Sequence, residues 1–210
     1  MLRRFHALLI AAAAAAVLAA LPLAAAATPA APKPVPLSEW ARPGRVLLLR
    51  HANAPGSGDP PGFRLASCAT QRNLDAAGRA QARAAGAALR AALVAGRVTS
   101  RPALFASQWC RANETANLLG LGPHKTLPPL NELAPGDPKA ASQIAALRKA
   151  VAALPPRGPP AVLVTHMGVI AGLAPPGAPA AAYAGGAIFE LNGGGAPRYV
   201  GPVAPIAPVA

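Results

Sequence analysis

Three short apolar runs in this sequence end in side chains that handle anions or protons. Arg45-Val-Leu-Leu-Leu49 runs into Arg50-His51, Ala103-Leu-Phe-Ala-Ser107 is followed by Arg111, and Ala161-Val-Leu-Val-Thr165 runs into His166. Arginine grips phosphate through two parallel N–H bonds and keeps its charge at any working pH. Histidine titrates near neutrality and serves as nucleophile, base or acid. Two arginines and two histidines in one crevice would make an anion site with a nucleophile inside it. Glu132, after Leu130-Asn131, adds a carboxyl group able to move a proton, a role for which Asp59 and Glu114 compete. Glu114 stands three residues beyond Arg111 and could instead pair with it. Ser107 and Thr165 suit either orientation of the pocket or packing at a strand end. His124, in a Gly-Pro-His loop, reads as a hydrogen-bonded structural histidine.

These groups meet only if the three runs lie side by side. Continuous apolar runs of this length are those of strands buried on both faces. Between them, Asp75 is an N-cap for a helix running to about Ala95 and stopped by Gly96. A shorter helix is expected from Arg111 to Leu119, closed by Gly120. Pro138 to Leu154 carries a third helical pattern, with Ile144, Leu147 and Val151 on one face. Strand-like pieces at Ala187–Leu191 and Arg198–Val200 flank a Gly193-Gly-Gly turn. Strands alternating with helices imply an α/β three-layer sandwich with a mainly parallel central sheet. In such sheets ligands bind beyond the carboxyl ends of the strands, where the arginines and histidines stand. The segment from His51 to Thr70 is a long Gly/Pro-rich loop, of the kind that is functional or mobile. On the first helix Ala82, Ala85, Leu89 and Leu93 can pack, and the stripe of Arg79, Arg83, Arg90 and Arg97 reads as a solvated face.

Leu48-Leu-Arg50-His51-Ala52, then Asn73-Leu74 with Gly78 and Gln81-Ala82, then Ser107-Gln-Trp-Cys-Arg111-Ala-Asn-Glu-Thr115-Ala116, then Leu130-Asn131-Glu132 and finally Val164-Thr165-His166 follow one another in order. Together they resemble the histidine phosphatase superfamily, in the branch that includes the cofactor-dependent phosphoglycerate mutases. The resemblance covers residues 45 to about 172 and implies a phosphoglycerate mutase-like fold. It implies that His51 is the nucleophile that becomes phosphorylated. Arg50, Arg111 and His166 would line the phosphate pocket, and Glu132 would donate the proton to the leaving group. No metal and no cofactor are required. Two departures matter. Ala52 stands where the family commonly has glycine, a small-for-small change. The segment from Asn53 to Thr70 lacks the mutases' substrate-contacting residues, and the insertions that enclose a phosphoglycerate are missing. A more open site admits water, which favours hydrolysis of a phosphate monoester over transfer within a mutase.

The amino terminus has the layout of a secretory signal over residues 1–27. Arg3 and Arg4 precede an Ala/Leu-rich stretch that ends in Ala25-Ala26-Ala27, with cleavage expected near Ala27. A membrane anchor is the alternative reading, since about 20 apolar residues just span a bilayer; Pro22 and the small-residue tail favour cleavage. Thr28 to Pro43 then read as an extended, poorly ordered Pro/Ala tether, and residues 44–210 as the domain. Export, to the periplasm or beyond, makes a disulfide between Cys68 and Cys110 the expectation, with two free buried thiols as the alternative. Closing a loop of about 40 residues would contribute roughly 4 kcal/mol.

The net charge of +13 comes mainly from arginine, 16 against 4 lysines. Nucleic acid is not the expected partner, because no reading motif is present and few aromatic residues accompany the arginines. No Gly-Xaa-Ser-Xaa-Gly elbow suggests a serine hydrolase, and the Cys and His spacing matches no zinc site. The expected partner is a phosphorylated small molecule or an envelope sugar phosphate. The competing reading is a non-catalytic protein that binds phosphate or other anions of the envelope, against which the intact set His51, His166 and Glu132 argues.

Overall fold

The apolar runs form the strands β1 (Arg45–Arg50), β2 (Ala103–Ala106) and β4 (Ala161–Thr165) in the computed structural model, which describes residues 32–207. The leader expected over residues 1–27 and its cleavage point near Ala27 lie outside the described residues, as does the start of the tether. The remaining strands are β3 (Lys125–Thr126), β5 (Gly186–Glu190) and β6 (Arg198–Val203). The helices are α1 (Ala76–Ala95), α2 (Cys110–Leu119), α3 (Ala140–Ala152) and α4 (Met167–Leu173).

One sheet runs in the order β3-β2-β4-β1-β5-β6. Its first four strands are parallel, as expected, and β5 and β6 extend it antiparallel beyond β1. Side chains alternate across the sheet with the period of two that a strand imposes. Leu47 and Leu49 of β1 and Val162 and Val164 of β4 pack with Leu89 of α1 and Leu119 of α2. Val46, Leu48 and Leu163 face the other way, against Leu147 and Val151 of α3 and Ile170 and Leu173 of α4. Two apolar layers thus sandwich the sheet between helix pairs. Each fully buried leucine stabilises the fold by about 1.5–3 kcal/mol relative to an exposed one.

The helix ends follow the chemistry of their caps. Asp75 Oδ1 accepts the Gly78 amide at 2.6 Å and starts α1. Gly120 ends α2 in the left-handed conformation, φ 63°, which a residue without Cβ adopts at no steric cost. The two-residue β3 and the helix α4, which begins directly after His166, are additions to the expected elements; both are too short to show a period. Among the described residues no helix is long and apolar enough to cross a membrane.

Two expectations change. Residues 35–43 are packed chain, not loose tether: the Val35 amide donates to Pro202 O at 2.8 Å, and Leu37–Glu39 form a 3₁₀ turn. Trp40 is fully buried, with its indole Nε1 donating to Ala161 O at 2.8 Å. One tryptophan buries about 150–250 Å², enough to order a Pro/Ala segment that has no period of its own. The packed unit therefore starts before residue 44. The arginine stripe of α1 is also only partly solvated, since Arg79 pairs with Glu114 and Arg90 Nη1 donates to Leu119 O at 2.6 Å, at the end of α2.

Candidate active site

Parallel pairing of β1 with β4 sets Arg50 opposite Thr165, so His51 and His166 leave neighbouring strand ends together. The His51 amide donates to Thr165 O at 2.9 Å, and the two imidazole centroids lie 5.2 Å apart. Both rings are buried at 1% exposure. The Ser107 amide donates to Val164 O, which brings the end of β2 to the same edge.

His51 has its tautomer set by its own neighbour. Nδ1 lies 2.8 Å from Ala52 O, and a carbonyl only accepts, so Nδ1 carries the hydrogen and Nε2 keeps its lone pair. Burial pushes the imidazole down to about 3, the Ala52 carbonyl opposes this, and the Arg111, Arg50 and Arg72 guanidiniums add to it. The ring is neutral at ordinary pH. The backbone behind it is pinned twice: Ala52 N donates to Thr115 Oγ1 at 3.1 Å and Asn53 N to Gln81 Oε1 at 2.9 Å. Gly78 lets α1 approach this loop, because a Cβ there would lie 1.9 Å from Asn53 O.

His166 meets Ser107 Oγ at 2.8 Å through Nε2. The same hydroxyl accepts the Trp109 amide at 3.1 Å, which seats it against the ring. Nδ1 is buried without a partner. Burial, followed by the neighbouring His51 and Arg111, holds His166 well below its ordinary value. Of the two strand-end hydroxyls, Ser107 therefore faces the site, whereas Thr165 Oγ1 donates to Leu130 O at 2.7 Å and packs the strand end.

Arg111, on the first turn of α2, is fully buried. One of its terminal nitrogens meets both oxygens of Asp59, at 2.9 and 3.1 Å, and the other pairs with Glu132. Asp59 also accepts the Arg72 amide at 2.8 Å and the Trp109 indole at 2.9 Å. Burial alone would raise this carboxyl group, but the Arg72 amide, Trp109 and Arg111 together hold it below its ordinary value. A carboxylate so held keeps its charge. Arg50 lies with its guanidinium 3.8 Å over the Tyr183 ring and donates to Ala181 O at 2.9 Å. Burial lowers it from its ordinary value, and Tyr183 works against the shift. Arg50, His51 and Glu132 line a common cleft.

The expected site residues thus converge, but Glu114 does not join them. It pairs with Arg79 at 2.5 Å, not with Arg111, whose terminal nitrogens are taken by Asp59 and Glu132. His124 is hydrogen-bonded to Asn113 Oδ1 at 2.8 Å, as a structural histidine would be. Cys68 and Cys110 are disulfide-bonded, with Cα atoms 5.6 Å apart, which ties the end of the long loop to the residue before Arg111.

Three residues of the site went unread in the sequence. Arg72 staples the loop through Nη1 to Ala54 O at 2.5 Å and Nε to Gly58 O at 2.9 Å, and its charge acts on both histidines. Trp109 seats Asp59 and Ser107, and Tyr183 supports Arg50. Trp109 stands two residues before Arg111, and that proximity was a usable signal. Tyr183 sits in an Ala/Pro-rich stretch with none.

No protein-family model matches the chain, and no curated protein shows significant sequence similarity to it. Solved structures do match. The protein histidine phosphatase SixA complexed with tungstate superimposes with a TM-score of 0.56 at 20% identity, over 77% of this chain and 97% of that one. The fold is that of the histidine phosphatases. The mycobacterial hydrolase 2 matches at TM-score 0.55 and 22% identity, over 80% of this chain and 93% of its own. The mycobacterial glucosyl-3-phosphoglycerate phosphatase matches at 0.53 and 21%, over 78% and 99%. In this histidine phosphatase fold the parallel edge formed by β2, β4 and β1 carries Ser107, His166 and His51.

Proposed function

We propose that the protein hydrolyses phosphate monoesters through a phosphohistidine on His51. The observation that carries this reading is the neutral His51, its Nδ1–H held by Ala52 O and its Nε2 left free beside Arg111 and Arg50. Nε2 attacks phosphorus, the P–N bond forms and the bond to the leaving oxygen breaks. Arg111 and Arg50 stabilise the charge on the equatorial oxygens, and His166 Nδ1–H donates to one of them. Each such donor is worth about 2.7–4 kcal/mol in comparable sites.

Glu132 supplies the leaving group's proton and then takes one from the water that breaks the P–N bond. It suits the role better than Asp59, which four donor contacts hold as a carboxylate, whereas Glu132 has a single partner and lines the cleft. Exposed Ala134 and Pro135 on the cleft wall leave room for water and favour hydrolysis over a mutase. The site is proposed to work outside the cytoplasm, a reading supported by the leader-like residues 1–27 and by the Cys68–Cys110 bond, which persists in oxidising compartments.

The test is hydrolysis of an aryl phosphate without added metal, beside His51→Ala. Activity in the parent, its loss in the variant and acid-labile phosphate trapped on His51 are the expected results. Equal activity in the variant overturns the mechanism, and activity in neither favours binding without turnover.

A further inference from the structure

The cleft that opens from His51 has a volume of about 360 Å³ and a lining of two kinds. Arg50, His51 and Glu132 are the groups that would handle the phosphoryl group and the leaving oxygen. The rest of the lining is hydrocarbon: Leu133 and Pro135 from the loop after Glu132, Ile144 from α3, and Met167 and Gly172 from α4, with alanine and glycine between them. Beyond the first three, the Met167 thioether, 3.8 Å from Arg50 Nη1, is the one polar atom that a lining side chain offers. The hydrocarbon part is close-packed, since a Cβ on Gly172 would come within 2.6 Å of Ile144 Cδ1.

A second observation points the same way. Among the described residues, large apolar side chains are exposed at Phe63, Val94 and Met167. Two of these three flank the site: Met167 lines this cleft, and Phe63 lies on the other side of the Glu132–Pro135 ridge, its ring 5.8 Å from Trp109. Exposed apolar surface gathered at a catalytic mouth marks a binding surface.

We propose that the substrate is the phosphate monoester of a lipophilic alcohol, with the phosphoryl group at His51 and the hydrocarbon chain along Leu133, Ile144 and Met167. The proposal rests on the hydrolase reading above and specifies its leaving group. A sugar in this cleft would exchange water for hydrocarbon around its hydroxyls, each left unpaired at a cost of about 1–3 kcal/mol. A hydrocarbon chain gains about 0.8 kcal/mol for each methylene it buries. The basic, arginine-rich surface biases the approach of any phosphate, so the discrimination falls to the cleft.

The experiment compares kcat/KM of the full chain for n-alkyl phosphates from ethyl to octyl with glucose 1-phosphate and glycerol 1-phosphate. In the alkyl series the leaving-group basicity is nearly constant and only the buried length changes. The expected result is a rise of about four-fold per methylene until the cleft is filled, with both polar phosphates at least about tenfold below hexyl phosphate. Met167→Gln, at an exposed position that tolerates a polar side chain, should reduce the octyl-to-ethyl ratio several-fold. A flat alkyl series, or a sugar phosphate or phosphopeptide turned over better than octyl phosphate, overturns the substrate assignment and leaves the hydrolase reading standing. Turnover of none of them, aryl phosphate included, overturns the hydrolase reading and this assignment with it.

Discussion

Asp59 sets both of its carboxylate oxygens on one nitrogen of Arg111, at 2.9 and 3.1 Å, across 52 residues of sequence. With Glu132 on the other terminal nitrogen, the buried guanidinium meets a carboxylate on each side before any phosphate arrives. A phosphoryl group must compete for it. Asp59→Asn removes one negative charge from an anion site and should tighten tungstate or phosphate binding by about tenfold, ~1.4 kcal/mol, as read by calorimetry. The same change breaks a buried pair, which typically costs about 3–5 kcal/mol of stability. Unchanged anion affinity in a folded variant would show that Asp59 is not a competitor.

The Cys68–Cys110 bond closes a loop with a sequence separation of 42 and anchors the C-terminal end of the segment that carries Asp59 at the start of α2. On the chain-entropy model its loss should cost about 4 kcal/mol. Denaturant unfolding with and without reductant measures this directly. The double variant Cys68→Ser, Cys110→Ser should match the reduced protein and no longer respond to reductant.

Ser107 touches His166, so in the proposed reaction it would act through that ring and not by touching substrate. Ser107→Ala leaves His166 Nε2 without its hydrogen-bond partner. Such supporting partners are typically worth 10–100-fold in activity, so kcat should fall by about that factor while KM changes less. A loss confined to thermal stability, with kcat intact, would reduce Ser107 to packing.

His51 titrates at about 3 in the folded protein, against about 6.5 in an unfolded chain. Between those values the unfolded state binds the extra proton, so this contribution to stability is full above pH ~6.5 and is lost progressively as the pH falls. From pH 6.5 to 5 the loss from His51 is about 2 kcal/mol, and His166, shifted in the same direction, adds to it. Unfolding free energies at the two pH values check this, and His51→Gln should show the shallower dependence. An equal slope in that variant would contradict the buried, neutral assignment of His51.

The sequence by itself determined the layered α/β plan and the identity of the central pair. His51 and His166 each follow an uninterrupted apolar run, and such runs must be buried strands in either register. The caps at Asp75, Gly96 and Gly120 marked helix ends for local reasons that hold in any tertiary setting. Arg111 was legible as well, because it follows closely on the second apolar run, Ala103-Leu-Phe-Ala-Ser107. Only the tertiary structure decided what those residues face. Asp59 and Arg72 lie in irregular chain, where no period predicts direction, and their placement depends on how the segment between β1 and α1 is tied to α2 through Arg111 and Cys110. By spacing Glu114 had the claim on Arg111; the buried Arg111 meets Asp59 and Glu132 instead, and Glu114 is left to Arg79. Trp40 drew a seemingly loose segment onto the fold because burial of one large side chain outweighs a local composition that favours none. Short-range signals are written along the chain, whereas the pairing of buried charges and the lining of the cleft are settled only when distant segments exclude water together.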